Sequence, residues 1–225
     1  MKKIKQALIS VSDKKNLKDL LRTLTKYKIK LISSGGTYKE IKKLKFKCLE
    51  ISEYTGSPEI LGGRVKTLHP KIHAGILSKR NDKSHKAELI KNNFEEIDLV
   101  IINFYPFEKT LGQTSDHIKI LENIDVGGPA MVRAAAKNYN DVTVITSSNQ
   151  YNELITELDQ NKGSTSLSFR EKMSLEAFSE TAYYDAVISN YLNKINKNSF
   201  PKKKVVYGNL IEKLRYGENP HQESA

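Results

Sequence analysis

The sequence predicts an α/β fold with three layers, α/β/α, built on a central parallel sheet and followed by C-terminal helices. Over the first 160 residues, short apolar runs alternate with segments in which apolar residues recur at helical spacing. The runs at 99–103 and 142–145 are almost entirely apolar, as is typical of parallel strands buried on both faces. Strands that alternate with helices indicate a doubly wound sheet.

The individual elements follow from local patterns. Leu17, Leu20, Leu21 and Leu24 repeat at helical spacing, and Pro129 suits the first residue of a helix. We expect strands at 6–12, 29–33, 47–51, 99–103 and 142–145, and helices at 14–26, 117–124, 129–138 and 168–193, with a short helix opening at the Thr37–Glu40 capping box. The predicted organisation is a core at 1–148, a helical extension at 149–193, and a Lys-rich linker with the first residues of a further domain at 194–225.

The net charge of +11 has two explanations that both stay open. One is codon bias in an AT-rich genome, since 31 of the 37 basic residues are Lys and Asn and Ile are abundant. The other is an anionic partner, such as a phosphorylated small molecule. We see no stripe of Arg and aromatic residues of the kind that nucleic-acid-binding proteins use, so no nucleic-acid partner is expected.

Composition also bears on the compartment. No run approaches the roughly 18 apolar residues that a membrane helix needs, so no membrane partner is expected. The apolar stretch 7–11 is too short for a signal peptide. Cys48 is the only cysteine, which excludes an internal disulfide and a thiolate metal cage. We therefore expect a cytoplasmic protein.

Two loops have the composition of a phosphate site. The segment 10–14 follows the first predicted strand and offers two serines and Lys14, and the segment 33–37 follows the second and contains Gly35 and Gly36. Glycines allow close backbone approach, and the free N–H groups of the next helix favour an anion. A tight turn and a helix cap would explain the same residues, so both interpretations stay open.

The segment 62–75 is the densest polar stretch, with little helical or strand periodicity, and we expect a functional loop there. His69 and His73 are four residues apart, but Pro70 interrupts and no Glu follows His69, so a zinc site is not expected. Tyr105 follows the apolar strand, where it either reaches a ligand or packs beside Pro106.

A third group of candidates surrounds the helix predicted at 129–138. Asp125 precedes its start, where a carboxylate either acts in a site or only favours the helix dipole. Arg133 and Lys137 lie on one face of the helix and repel each other slightly, which an anionic partner or solvation would relieve.

Taken in order, six segments resemble the N-terminal domain of the AICAR transformylase/IMP cyclohydrolase family. They are 7–14, 34–37, 62–77, 103–107, 124–128 and 133–138, and the stretch Arg64–Pro70 is the most specific. The segment 214–222 resembles the opening of the family's transformylase domain. The resemblance implies a methylglyoxal-synthase-like fold, a homodimer for the full-length protein, and no transformylase activity in this chain.

The resemblance also implies an activity: dehydrative closure of 5-formamidoimidazole-4-carboxamide ribonucleotide (FAICAR) to IMP, without cofactor or metal. It implies catalytic roles for Lys66, Tyr105, Asp125 and Lys137. The implied nucleotide-binding residues are Ser10, Ser12, Lys14, Ser34, Gly35, Gly36, Thr37, Arg64, Lys66, Thr67, Asn103, Asp125, Gly127 and Gly128. Two alternatives stay open on the same fold, a methylglyoxal synthase-type lyase and a non-catalytic nucleotide-binding regulatory module.

Overall fold

A computed structural model gives the structure of residues 1–212 and of Leu214. Its centre is a five-stranded sheet in which every neighbouring pair is parallel. The spatial order is β4-β3-β2-β5-β6, and the strands are β2 (Gln6–Val11), β3 (Lys30–Ser33), β4 (Leu49–Glu50), β5 (Leu99–Asn103) and β6 (Thr143–Ile145). A separate antiparallel pair joins β1 (Lys2–Lys3) to β7 (Ser164–Thr165). The predicted α/β class with a central parallel sheet is confirmed.

Helices connect the strands and cover the sheet. Helix α1 packs against α9, and α4 packs against α8, which also contacts β5 and β6. The helices are α1 (Leu17–Lys26), α2 (Gly35–Lys43), α3 (Ile51–Thr55), α4 (Pro70–Leu77), α5 (Lys83–Lys91), α6 (Phe107–Gln113), α7 (His117–Glu122), α8 (Gly127–Lys137), α9 (Tyr151–Gln160) and α10 (Leu167–Ile195).

The strand order fixes where a ligand can bind. From β2 the chain moves to β3 and β4 on one side, then returns to β5 and β6 on the other. The loops that follow β2 and β5 therefore diverge, and such a switch point opens a crevice at the carboxyl ends of the strands. The strands themselves are almost fully buried, so the sheet is a rigid base for these loops.

The chain forms two compact units, Met1–Thr181 and Ala182–Ala225, with the division inside α10. The sheet belongs to the first unit. In the second, Tyr183 and Tyr207 pack edge to face with ring centroids 5.1 Å apart, and Asn190 donates a hydrogen bond to the Val205 carbonyl. No helix of the described residues has both the length and the apolar character that crossing a bilayer requires.

Several predicted boundaries are wrong. The Thr37–Glu40 capping box does not form, because α2 begins three residues earlier with Ser34 at its N-cap position. The Thr37 hydroxyl bonds to both backbone groups of Val11 instead. The expected loop at 62–75 contains the start of α4. Helix α1 begins at Leu17, since Asn16 has the left-handed backbone conformation. Nearly all of the segment 214–222 lies outside the described residues.

Candidate active site

A cavity of about 860 Å³ opens at the carboxyl ends of β2, β3 and β5. Its volume suits a small-molecule ligand. Every residue predicted for the site except Lys137 lines it, namely Ser10, Ser12, Lys14, Ser34, Gly35, Gly36, Thr37, Arg64, Lys66, Thr67, Asn103, Tyr105, Asp125, Gly127 and Gly128. The fold therefore brings together segments that are more than 100 residues apart in the chain.

The N-terminus of α2 forms one wall of the cavity. Ser34 is extended, and Gly35 then adopts a positive φ of 51°, a conformation in which glycine carries no steric cost. The side chain of Thr37 points away from the helix end and ties it to Val11, with 2.9 Å for each hydrogen bond. The first N–H groups of a helix have no intrahelical acceptor, so this end can bind an anion.

The N-terminus of α8 also lines the cavity, and it carries a carboxylate, that of Asp125. Asp125 Oδ1 accepts a hydrogen bond of 2.9 Å from the Gly128 amide, so the carboxylate folds over the first turn. A Cβ atom at Gly128 would lie 2.2 Å from Asp125 Oδ2, and a Cβ atom at Gly127 would lie 2.4 Å from Thr67 Oγ1. A side chain at either position would therefore push Asp125 or Thr67 away from the start of α8.

The environment of Asp125 changes its acidity. Burial raises the pKa of this carboxyl above its ordinary value, and the Gly128 amide and the Lys66 ammonium oppose that rise only in part. A carboxyl with a raised pKa, facing a cavity, suits proton transfer.

Two of the cavity's cations have carboxylate partners. Lys66 Nζ lies 3.6 Å from Glu59 Oε1, and Arg64 Nη2 lies 2.9 Å from Glu122 Oε1. By contrast, Lys14 makes no ion pair within the described part of the chain, so its charge is available to a ligand. Sequence reasoning missed Glu59 and Glu122, because neither belongs to a recognisable local motif and only the folded chain brings them to the cations.

Asn103 joins the two loops that diverge at the switch point. Its Oδ1 atom accepts hydrogen bonds from the amides of Ser12 at 2.7 Å and Asp13 at 3.0 Å, and lies 2.8 Å from Ser12 Oγ. Its Nδ2 atom donates to the Asp13 carbonyl at 3.3 Å. The side chain lines the cavity, but its oxygen is occupied by the loop after β2.

Tyr105 and Lys137 differ in their placement. Tyr105 lines the cavity and is 55% exposed, so its ring can reach a ligand at the mouth. Lys137 is exposed at the last residue of α8, three turns from Gly127 and next to Asn138, which bonds to the carbonyls of Ile76 and Ser78. It does not face the cavity of its own chain, because α8 runs away from the carboxyl edge of the sheet.

His69 has a local structural function. It is the N-cap residue of α4, where its Nδ1 atom accepts a hydrogen bond of 3.1 Å from the Lys71 amide, and its Nε2 atom lies 3.2 Å from Ser57 Oγ. Burial lowers the pKa of His73. Within the described residues no group of three or more His, Cys, Asp or Glu side chains could hold a metal ion.

Two family models match this chain. Residues 16–130 match the MGS-like domain, and residues 135–225 match the "AICARFT/IMPCHase bienzyme". The chain belongs to the MGS-like domain family, and its C-terminal part matches the AICARFT/IMPCHase bienzyme. The predicted resemblance to AICAR transformylase/IMP cyclohydrolase is therefore confirmed. The two alternatives, a methylglyoxal synthase-type lyase and a non-catalytic regulatory module, are not favoured.

Relatives named as bifunctional purine-biosynthesis proteins align with nearly the whole chain. The "Bifunctional purine biosynthesis protein PurH" of Prochlorococcus marinus is 48% identical over 219 residues, which are 97% of this chain and 42% of that protein. PurH of Rhizobium johnstonii is 46% identical over 222 residues, 99% of this chain and 41% of that protein. This chain thus spans less than half the length of these relatives.

A solved structure described as "Crystal structure of ForH" is also similar. It aligns with a TM-score of 0.75 and 31% sequence identity, over 84% of this chain and 99% of that chain. This likeness covers most of the chain and supports the assignment of its fold.

Proposed function

We propose that this chain catalyses the closure of FAICAR to IMP, the IMP cyclohydrolase reaction. The observation that carries the proposal is the cavity that gathers Lys66, Tyr105 and Asp125 beside the N-terminus of α2. Family membership and the purine-biosynthesis name of the relatives support it. The reaction consists of ring closure and proton movement, so it needs no redox or group-transfer cofactor.

The chemistry assigns a proton path. The carboxamide nitrogen of the substrate attacks the formyl carbon, and a C–N bond forms. The carboxamide nitrogen and the formamido nitrogen each lose one proton, and the formyl oxygen takes up two protons and leaves as water when its bond to carbon breaks. We assign to Asp125 the removal of an amide proton, since its carboxylate faces the cavity with a raised pKa. Lys66 stabilises the oxygen that becomes negative, and Tyr105 orients the formamide.

The phosphate of the substrate fits the loops rather than the acidic end. The first turn of α2 offers amide donors, and Lys14 lines the same cavity without forming an ion pair among the described residues. Repulsion by Asp125 keeps the phosphate away from α8. The reacting ring therefore lies between Lys66 and Asp125, with the phosphate at the loops 10–14 and 34–37.

The experiment is an absorbance assay for IMP formation from FAICAR by the purified chain. We expect turnover without a folate donor, and a loss of roughly 10²-fold or more in Lys66→Ala and in Asp125→Ala, as for positioned charge-stabilising and proton-transfer groups. Lys71→Ala is the matched control, since Lys71 lies on α4 outside the cavity lining. Wild-type turnover in both cavity variants would overturn the assignment.

Lys137 enters the proposal only together with a homodimer. Because Lys137 lies at the far end of α8 from its own cavity, a catalytic role requires that it reach the cavity of a second copy. Mixing Asp125→Ala chains with Lys137→Ala chains, after each variant has been assayed alone, tests this directly. Recovery of activity supports a shared site, and full activity of Lys137→Ala alone removes Lys137 from the mechanism.

A further inference from the structure

Asp13 lies between two residues of the cavity wall but does not belong to that wall. Ser12 and Lys14 line the cavity, whereas Asp13 is absent from its lining within the described residues. The backbone here is not helical, since α1 begins only at Leu17. Successive side chains therefore point in different directions, and the Asp13 carboxylate points toward the turn that follows β6.

Four contacts hold Asp13. Its Oδ2 atom accepts a hydrogen bond of 2.6 Å from Ser148 Oγ, and its Oδ1 atom accepts one of 2.9 Å from the Lys15 amide. Asn103 binds both its N–H, at 3.0 Å, and its carbonyl, at 3.3 Å. The residue is thus fixed from β5 and from the turn after β6 at once, while its own loop follows β2.

The far side of this arrangement is rigid. Ser148 is only 8% exposed, and it begins the short 3₁₀ helix Ser148–Gln150, which has Ser147 and Gln150 in a capping box. Tyr151 follows directly and is almost fully buried. The hydrogen bonds to Asp13 lower the pKa of its carboxyl, with the Ser148 hydroxyl as the largest cause, so the residue stays ionised in neutral solution.

We propose that Asp13 is a positioning residue that places Ser12 and Lys14 for the phosphate of the ligand, through its bond to Ser148. The argument depends on Lys14, a cavity cation that forms no ion pair among the described residues and whose charge acts on the Asp13 carboxylate. Its location is set by the backbone of Asp13, which precedes it. The part that concerns phosphate rests on the proposed function; the anchoring of the loop does not.

The test is a double-mutant cycle with Asp13→Ala, Ser148→Ala and the double variant. Calorimetry measures the affinity for IMP and for inosine, which lacks the phosphate. We expect each single variant to bind IMP between about threefold and tenfold more weakly, as for one lost hydrogen bond, with inosine affinity unchanged and the double variant no worse than Asp13→Ala. Asp13→Asn, which keeps an acceptor, should recover part of the loss.

Asp19→Ala is the matched control, because Asp19 is an exposed carboxylate whose pairing with Arg22 stays within α1. It should change neither affinity. Additive losses in the double variant, or equal losses for IMP and inosine, would overturn the positioning role.

Amide exchange of residues 12–15 without ligand decides the anchoring separately. It should accelerate in Ser148→Ala and stay unchanged in Asp19→Ala, and an unchanged rate in Ser148→Ala would overturn the anchor. If the wild-type chain bound no IMP, the proposed function would fail while this measurement still decided the anchor.

Discussion

Replacing Gly128 by alanine should separate the geometry of Asp125 from the stability of α8. A Cβ atom at Gly128 would lie 2.2 Å from Asp125 Oδ2 and 2.9 Å from its Cγ. The carboxylate must therefore retreat by about 1 Å to restore an ordinary van der Waals separation. The hydrogen bond of 2.9 Å between Asp125 and the Gly128 amide would be lost or bent.

The expected magnitudes differ for stability and for catalysis. Alanine favours a helix over glycine by about 1 kcal/mol, and the net loss of a hydrogen bond costs about 0.5–1.5 kcal/mol. These two effects nearly offset each other, so Tm should move by only a few degrees. A misplacement of about 1 Å in a catalytic group can lower the rate by about 10²-fold, and we expect a loss of that size in turnover.

An absorbance assay of IMP formation and thermal denaturation, measured on the same preparation, check this prediction. Gly112→Ala is the matched control, because Gly112 lies in α6 and a Cβ atom there meets nothing within 4 Å. It should leave turnover unchanged and Tm equal or higher. If Gly128→Ala turned over at the wild-type rate, the position of Asp125 over the helix end would have no part in catalysis.

Three further outcomes are expected. Burial raises the pKa of Asp125 in the folded chain, so its contribution to stability is present at low pH and is lost as the pH rises through the raised pKa. Asp125→Asn should therefore raise Tm at pH 7. Calorimetry near pH 4 should show that this gain in Tm is lost. Lys14→Ala should weaken the binding of IMP much more than that of inosine, and equal losses would place the phosphate elsewhere. Glu59→Gln removes the carboxylate 3.6 Å from Lys66, so titration should show tighter binding of IMP, and unchanged affinity would mean that the pair does not compete with the ligand.

The parts of the fold that the sequence predicts well are those with an unambiguous pattern. The strands β2, β3, β5 and β6 follow from apolar runs, and α1 follows from leucines at helical spacing. Short elements are harder to predict. Helix α4 lies partly in a segment predicted as a loop, because its start around His69 and Pro70 has no helical pattern of apolar residues. The hydrogen bond by which His69 caps the helix is visible only in the structure.

In the candidate site, too, some residues carry a local sequence signal and others are placed only by distant parts of the chain. Loops with glycines and hydroxyls carry a local signal, so Ser34, Gly35 and Thr37 are identifiable from the sequence alone. Whether Thr37 caps a helix or ties the start of α2 to the end of β2 depends on Val11, which is 26 residues away. The orientation of Lys137 is likewise set by where α8 begins on the sheet, and no local pattern contains that information.

The carboxylates that partner Lys66 and Arg64 have a consequence for turnover. Substrate and product carry the same phosphate and nearly the same ring, so a cavity of unpaired cations would hold both equally tightly. Such uniform binding lowers KM without raising kcat and delays release of the product. Under the proposed function, Glu59 and Glu122 reduce this uniform binding, because an anion that approaches Lys66 or Arg64 competes with the carboxylate already paired there. Under the proposed function, these two ion pairs should therefore speed the release of IMP and raise its dissociation constant.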